Sequence, residues 1–345
     1  MNNSSNTSAE PASGQIINVD QDFNGNLDDA ILAADDGDTV ELGRRTYRTA
    51  GLSINKDITI DGIRGESVID GRGTPESIIT LNPESSGTTI QDVEIVNGDS
   101  GVNVVNATDI TLKNLDVHNI GVDEPSRDGQ NNFGINLVGA DGFEILDSQV
   151  RDIGRKGVGV TDTDGGIIRG LTIEDINIDA EHAQSYDAGG IKLFNTNDVT
   201  LQDNELSRIN AFGIWNDLSS NTTIDGNTIN GVGDSFEAPS FNSNVTVIGI
   251  YDEKSVNSVV DNNTVTSVGD YIGYSATEFS TETLELGENN DFSGQELNTT
   301  DYWANEEAEK RIATTEDPDK ANFALFEEEF YTGGTFGGDN GDGLN

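Results

Sequence analysis

The chain has no cysteine among its 345 residues, which excludes a disulfide framework and thiol catalysis. Basic residues are scarce: 18 Lys plus Arg stand against 63 Asp plus Glu, for a formal net charge of -45. So acidic a surface repels nucleic acid and anionic lipid, and neither is an expected partner. Its self-repulsion weakens in concentrated salt, where the Debye length falls to about 3 Å at 1 M. The charge therefore reads as a solvated surface suited to a halophile of haloarchaeal type, with an acidic, calcium-rich secreted protein as the other reading. The two histidines, His118 and His182, are too few and too separated for a zinc site or a catalytic triad. No run approaches the ~18 apolar residues of a membrane span, so no membrane insertion is expected. An apolar signal segment is also missing. The opening MNNSSNTSAEPASG is polar and low in complexity, the composition of a disordered tether. It reads as the stretch following a cleaved export signal or lipid anchor, with Met1 added for expression; a native Met1 would point instead to a virion part.

What the chain has in abundance is one line of sequence written six times. GVNVVNATDITLKNLDVHNI starts at Gly101, and variants of it start at Gly134, Gly157, Gly190, Gly213 and Gly249. Each copy carries three short alternating apolar runs split by Asn, Asp or Gly. A single copy cannot bury its apolar face, so the copies must stack into a solenoid. Positions two and four of each copy are expected to point inward: Val102/Val104, Ile135/Leu137, Val158/Val160 and Ile191/Leu193. Asn204, Asn227 and Asn263 share one register at a bend and are expected to form an internal amide ladder rather than a ligand set.

Upstream, Asn26 is a good N-cap for a short helix whose Leu27, Ala30, Ile31 and Ala34 share one face. The helix is followed by DDGDTVELGRRTYRTAGLSINKDITIDG. A short amphipathic helix, then Gly-Asp-Thr-Val, then a Thr-Tyr turn and an alternating strand, resembles the N-terminal cap of right-handed parallel β-helix proteins of the pectate-lyase-like superfamily. Arg44 and Arg45 stand where members usually have Gly. The resemblance covers about residues 15–270. It implies an all-β right-handed parallel β-helix with a short capping helix, and leaves the activity open among lyases, hydrolases, epimerases, adhesins and viral tailspikes. The expected organisation is a tether over 1–14, the β-helix with its cap over 15–273, an irregular C-terminal cap over 274–332 and a flexible tail over 333–345. The tail's DNGDG is a fragment of a calcium loop without the leading Asp and trailing Glu.

The glycine starts lie 33, 23, 33, 23 and 36 residues apart. The long spacings insert loops at one corner, within Gly121–Phe133, Asn177–Gly189 and Gly233–Ile248, and insertions on one face of a solenoid commonly mark its binding side. Third-position residues beside those loops point outward: Asn103, Asn136, Gly159, Lys192, Trp215 and Tyr251. Rungs about 4.8 Å apart put Lys192, Trp215 and Tyr251 in one line, where aromatic faces suit the C–H faces of sugars. Trp215 packed under the third loop is the competing reading. Asp217 and Glu253 lie further along the same strands, Asp187 and His182 in the middle loop, and Arg155 and Lys156 in a short turn.

Two classes of function fit. An extracellular carbohydrate-active enzyme would draw its catalytic groups from Lys192, Asp187, Asp217 and Arg155, and would bind substrate with Trp215, Tyr251, Asn103, Asn136, Lys156, His182 and Glu253. In a lyase, Lys192 or Arg155 would act as base or neutraliser, with the acids holding calcium or the sugar; in a hydrolase, Asp187 and Asp217 would flank the glycosidic bond. Neither the pectate-lyase arginine motif nor the paired-Asp signature of polygalacturonases stands out. The second class is a non-catalytic surface adhesin, structural protein or tailspike holding a glycan on the same face. In both, the partner is an extracellular polysaccharide or surface glycan and the location is extracellular or cell-surface. Calcium is the one cofactor that the sequence suggests.

Overall fold

A computed structural model describes residues 14–122, 132–177, 188–233, 248–266, 272–276, 280, 283–292 and 296–298. The chain winds as a right-handed parallel β-helix of three faces, visited in the order I, II, III on every turn. Face I is an 11-stranded parallel sheet that runs from Ile16–Asn18 through Thr111–Lys113 and Asn197–Gln202 to Glu285–Leu286. Faces II and III run into one another. In the lower rungs Val68–Leu81 and Glu94–Val105 pass the II/III corner as single strands. Higher up the corner is broken, as in Glu205–Ile209 followed by Phe212–Asp217.

The repeat register follows from sterics. The second residue of the face III strands from Phe133–Val138 to Ile248–Glu253 is a glycine: a Cβ on Gly213 would come 2.5 Å from the carbonyl oxygen of Gly249, and one on Gly190 would come 2.7 Å from that of Gly213. Core side chains crowd the same spot, Leu206 at 2.6 Å from Gly190 and Ile229 at 2.8 Å from Gly213, but the carbonyl is backbone and cannot yield. Inward positions two and four are buried in all four copies for which the sequence predicts it. Val102, Ile135, Val158, Ile191, Ile214 and Ile250 stack in one column through successive registers.

The bends are built from residues that accept a left-handed backbone. At the III/I corner Asn106, Gly139, Asp162 and Asn195 all have φ between 51° and 61°, a region that Asn, Asp and Gly enter at least cost. Inside the I/II bend the amide ladder forms as expected. Asn204 Nδ2 donates to Asn227 Oδ1 at 2.9 Å, and Asn227 Nδ2 donates to Asn263 Oδ1 at 3.0 Å. It continues one step further than the sequence suggests, from Asn263 to Asn290 at 3.1 Å. One bend away, Thr196, Ser219 and Ser255 form a hydroxyl ladder in which each backbone N–H donates to the Oγ of the next rung, at 3.2, 3.0 and 3.0 Å, ending at Ser280.

The lower end is capped by helix Leu27–Ala33. Asn26 Oδ1 accepts from the Asp29 N–H at 3.3 Å, and Leu27, Ala30, Ile31 and Ala34 are buried, as the periodicity predicts. A second helical turn, Val19–Asp22, precedes it; four residues are too few to show a period. Tyr47, of the Thr-Tyr turn, is buried, and its hydroxyl donates to Asp20 at 3.1 Å. At the upper end parallel pairing runs through Ile272–Ala276 to Glu296–Asn298. Residues 1–13 of the 1–14 tether, and the capping segment and tail after residue 298, DNGDG included, lie outside the described residues.

Candidate functional site

Face III carries the outward column read from the sequence, and its register is as expected: Asn103, Asn136, Gly159, Lys192, Trp215, Tyr251 and then Ser275 lie on successive rungs. A second outward column beside it holds Phe133, Lys156, Gly189, Phe212 and Ile248. A third holds Val105, Val138, Thr161, Phe194, Asp217 and Glu253.

These columns sort the candidates into groups. Lys192, Trp215, Asp217, Tyr251 and Glu253 meet on the three rungs from Gly189–Phe194 to Ile248–Glu253. Asn103 and Asn136 lie further down the face, joined by a 2.9 Å bond from Asn136 Nδ2 to Asn103 Oδ1. Arg155 and Lys156 sit at the II/III corner, the opposite end of the face from Asp217. Lys156 is buried, with its ammonium 5.0 Å from the centroid of the Phe133 ring. Asp187 and His182 lie outside the described residues, as does most of each corner loop. The other histidine, His118, is on face II, bonded through Nε2 to Glu94 at 2.9 Å.

The aromatic line differs from the open platform that the sequence suggests. Trp215 is 5% exposed and Tyr251 1%. They pack with Phe212, Ile248 and Ala211 into a hydrophobic cluster separate from the core. Phe212 lies 4.7 Å from Trp215 and 5.9 Å from Tyr251, between ring centroids. Phe212 is the residue that sequence reasoning passed over; it sits one place before the repeat glycine, outside the counted positions. The rings act as a wall, and the polar groups beside them are what solvent reaches.

Those polar groups are unusually arranged. The Lys192 ammonium lies 3.7 Å from the Trp215 ring centroid and 4.0 Å from Asp217 Oδ2, so a cation–π contact and a counter-ion hold it in one place. Trp215 Nε1 donates to Glu253 Oε2 at 3.1 Å. Asp217 and Glu253 are register partners on adjacent strands, both buried. Burial pushes the Glu253 carboxyl up to about 8, and the neighbouring Asp217 charge adds to the rise; Lys254, Lys192 and the Trp215 N–H oppose it. Two carboxyls side by side in a dry place cannot both ionise readily. Burial and the Asp217 charge thus both favour the protonated form of Glu253, while Lys192 supplies a counter-charge for Asp217. Lys192 and Asp217 retain 19% and 12% side-chain exposure, which makes theirs the open side of the site.

The rim carries two anomalies. The left-handed column at the III/I corner continues as Leu218 and Lys254, both with φ 51°, directly after Asp217 and Glu253. Leucine there costs roughly 1–2 kcal/mol of backbone strain, and its side chain is 48% exposed. No group of three or more His, Cys, Asp or Glu suited to a metal ion occurs among the described residues, and no helix there is long and apolar enough to cross a membrane.

Residues 100–290 match the family model described as the right handed beta helix region. No curated protein matches the chain in sequence. Among solved structures, the Dettilon tailspike protein superposes with a TM-score of 0.50 at 11% identity, over 83% of this chain and 68% of its own. The enzymatically active domain of tailspike protein 2 from bacteriophage CBA120 also gives 0.50, at 13% identity, over 77% of this chain and 47% of its own. The pectate lyase Pel9A gives 0.48 at 14% identity, over 86% of this chain and 80% of its own. Likenesses at such identities concern the fold, and the chain spans just under half the length of the bacteriophage CBA120 domain.

Proposed function

The chain belongs to the right-handed β-helix family, and from that premise we propose that it binds an extracellular polysaccharide on face III and hydrolyses it with Glu253 and Asp217. The observation that carries this reading is the pair itself: two buried carboxyls on adjacent strands, Glu253 bonded to the Trp215 N–H and Asp217 with the Lys192 ammonium 4.0 Å away. Environments that push two carboxyl groups apart in proton affinity are how glycosidases divide the roles of acid and base.

Glu253 donates its proton to the glycosidic oxygen as the bond to the anomeric carbon breaks. Asp217 attacks that carbon, forming a glycosyl ester. Water then cleaves the ester, with the Glu253 carboxylate taking the water's proton. Adjacent rungs are about 4.8 Å apart, which suits the ~5–5.5 Å spacing of retaining enzymes, so the anomeric configuration is retained. Lys192 orients Asp217; an ammonium held between a carboxylate and an indole face is a poor base, which disfavours β-elimination through Lys192. Arg155, Lys156, Asn103 and Asn136 line the same face further along, where a long glycan would extend.

Burial of Glu253 and Asp217 themselves favours a second reading, a surface adhesin or tailspike-like protein that holds glycan without cleaving it. The test is incubation in molar salt, with and without calcium, against neutral and uronate-rich polysaccharides, with products read by mass. Hydrolytic ends are expected, with a 100-fold or greater loss of rate in Glu253→Gln and in Asp217→Asn, the range typical of general acid–base groups. Unsaturated termini would replace the hydrolase reading with a lyase. Intact glycans across the panel, with binding retained, would replace it with the adhesin.

A further inference from the structure

The interior of the solenoid changes character directly behind the carboxylate pair. One inward column of face III reads Val104, Leu137, Val160 and Leu193, and then Asn216, Asp252 and Ala276. Asn216 and Asp252 are 0% exposed. Four aliphatic residues in the same column show that the fold does not require polar groups there. Polar groups without water are costly in such a place unless bonded.

Their bonds run to specific places. Asn216 Nδ2 donates to Asp252 Oδ1 at 3.0 Å and lies 3.2 Å from Ser258 Oγ. Thr222 Oγ1 donates to Asn216 Oδ1 at 3.2 Å, and Ser255 Oγ donates to the Asn216 carbonyl at 3.1 Å. Thr222, Ser255 and Ser258 all belong to the turns that follow the two site strands. Strand residues alternate in direction, so Asn216 is the inward neighbour of Asp217, and Asp252 that of Glu253. One amide–carboxylate bond inside thus ties together the two strand ends that carry the two acids outside. Satisfaction is incomplete: Asp252 Oδ2 and the Tyr274 hydroxyl are buried with no hydrogen bond of ordinary geometry, and the interaction each has is with the other. Burial pushes the Asp252 carboxyl up to about 6, and burial together with the Asp252 charge raises the Tyr274 hydroxyl.

We propose that Asn216 and Asp252 are positioning residues, an internal polar clamp that holds Asp217 and Glu253 at the close spacing on which their division of roles depends. The clamp rests on the reading of that pair as the reacting groups, but its test needs no substrate. The fold's own stability gains little from it, since partly satisfied polar groups are worse than an apolar core. The gain is in geometry.

The indole of Trp215 reports on Glu253 through their hydrogen bond, and the other tryptophan of the chain is Trp303. In a Trp303→Phe background of the full chain, emission is followed from pH 5 to 10, and the Glu253 transition is assigned by its loss in Glu253→Gln. The groups that face Glu253 are Asp217 from the strand below, Lys192 from the strand beneath that, and Lys254 at its own strand end. Those near Asp252 are Tyr274 from the rung above and the uncharged Asn216, Ser255 and Ser258. Asn216→Leu/Asp252→Leu, which continues the aliphatic column, should melt no lower than the parent. Its Trp215 midpoint should fall measurably as Glu253 moves away from Asp217. The double variant also removes the Asp252 charge, so Thr222→Val, which leaves every charge in place, must move the midpoint in the same direction. A folded double variant with an unchanged midpoint overturns the proposal. If that variant does not fold, Thr222→Val carries the test by removing one bond to Asn216. A smaller fall in the same direction supports the clamp, and no change refutes it. Unaltered hydrolysis in Glu253→Gln would instead sink the functional reading and leave the midpoint result standing.

Discussion

Replacing Glu253 by glutamine tests the electrostatics of the site through stability alone. An acid whose proton affinity is raised in the folded state binds more protons folded than unfolded across the interval between the two values. Over that interval, stability falls as pH rises. For Glu253 the interval runs from the ordinary 4.5 to about 8: the folded state bears no penalty below it and the whole penalty above it. Each tenfold change in proton affinity is worth about 1.4 kcal/mol, which sets a ceiling of about 5 kcal/mol for this group. Glutamine keeps the shape and the oxygen that accepts from Trp215, and it never ionises. Thermal melts in molar salt at pH 5, 7 and 9 should show parent and Glu253→Gln close together at pH 5. The variant should then pull ahead with rising pH, by on the order of 10 °C at pH 9. Taking the difference removes the large general effect of the chain's net charge, which both proteins share. A difference that stays flat with pH, or a variant less stable at pH 9, would refute the placement of Glu253 as a buried acid. The same substitution should abolish turnover, so stability gained and activity lost would come from one atom pair.

Two further outcomes follow from the geometry. Leu218→Asn puts a residue tolerant of the left-handed region where leucine is strained and exposed, and urea unfolding should show a gain of about 1 kcal/mol; a loss would mean that Leu218 is held by packing. Asn227→Ala removes a fully buried amide that donates to Asn263 Oδ1 and the Leu201 carbonyl and accepts from Asn204. The unpaired groups left behind should cost about 2–3 kcal/mol, read by the same unfolding, and a cost below 1 kcal/mol would show the ladder to be ornamental.

The fold was legible because each of its requirements leaves a residue-level mark. Backbone crowding on face III demands Gly213 and its counterparts, left-handed corners demand residues such as Asn106 and Asp162, and an inward column shows as Val158/Val160 two apart. Asn26 and the face formed by Leu27, Ala30 and Ile31 gave the cap helix for similar reasons. The site was half legible. Alternation places Lys192, Trp215, Tyr251, Asp217 and Glu253 together, but alternation reports direction and not exposure, so the sequence leaves Trp215 either open or packed, and the structure has it packed with Tyr251 in one cluster. The proton on Glu253 depends on burial and on a cross-strand neighbour 36 residues away, neither of which is a local pattern. Asn216 and Asp252 did leave a mark: they break the apolar rule at position four in the Gly213 and Gly249 copies. That exception was the sequence's clearest pointer to the rungs that matter.

The amide ladder has a mechanical consequence. It links the rungs above Ser148, where a serine hydroxyl takes the place of the amide by accepting from the Leu115 N–H, through Asn204, Asn227, Asn263 and Asn290. The rungs below are joined by sheet bonds and aliphatic stacking without that rail. A solenoid comes apart between neighbours, so a chain pulled from its two ends should unravel from the cap helix upward and stall where the rail begins. Asp217 and Glu253, with Asn216 and Asp252 behind them, lie within the part braced by that rail.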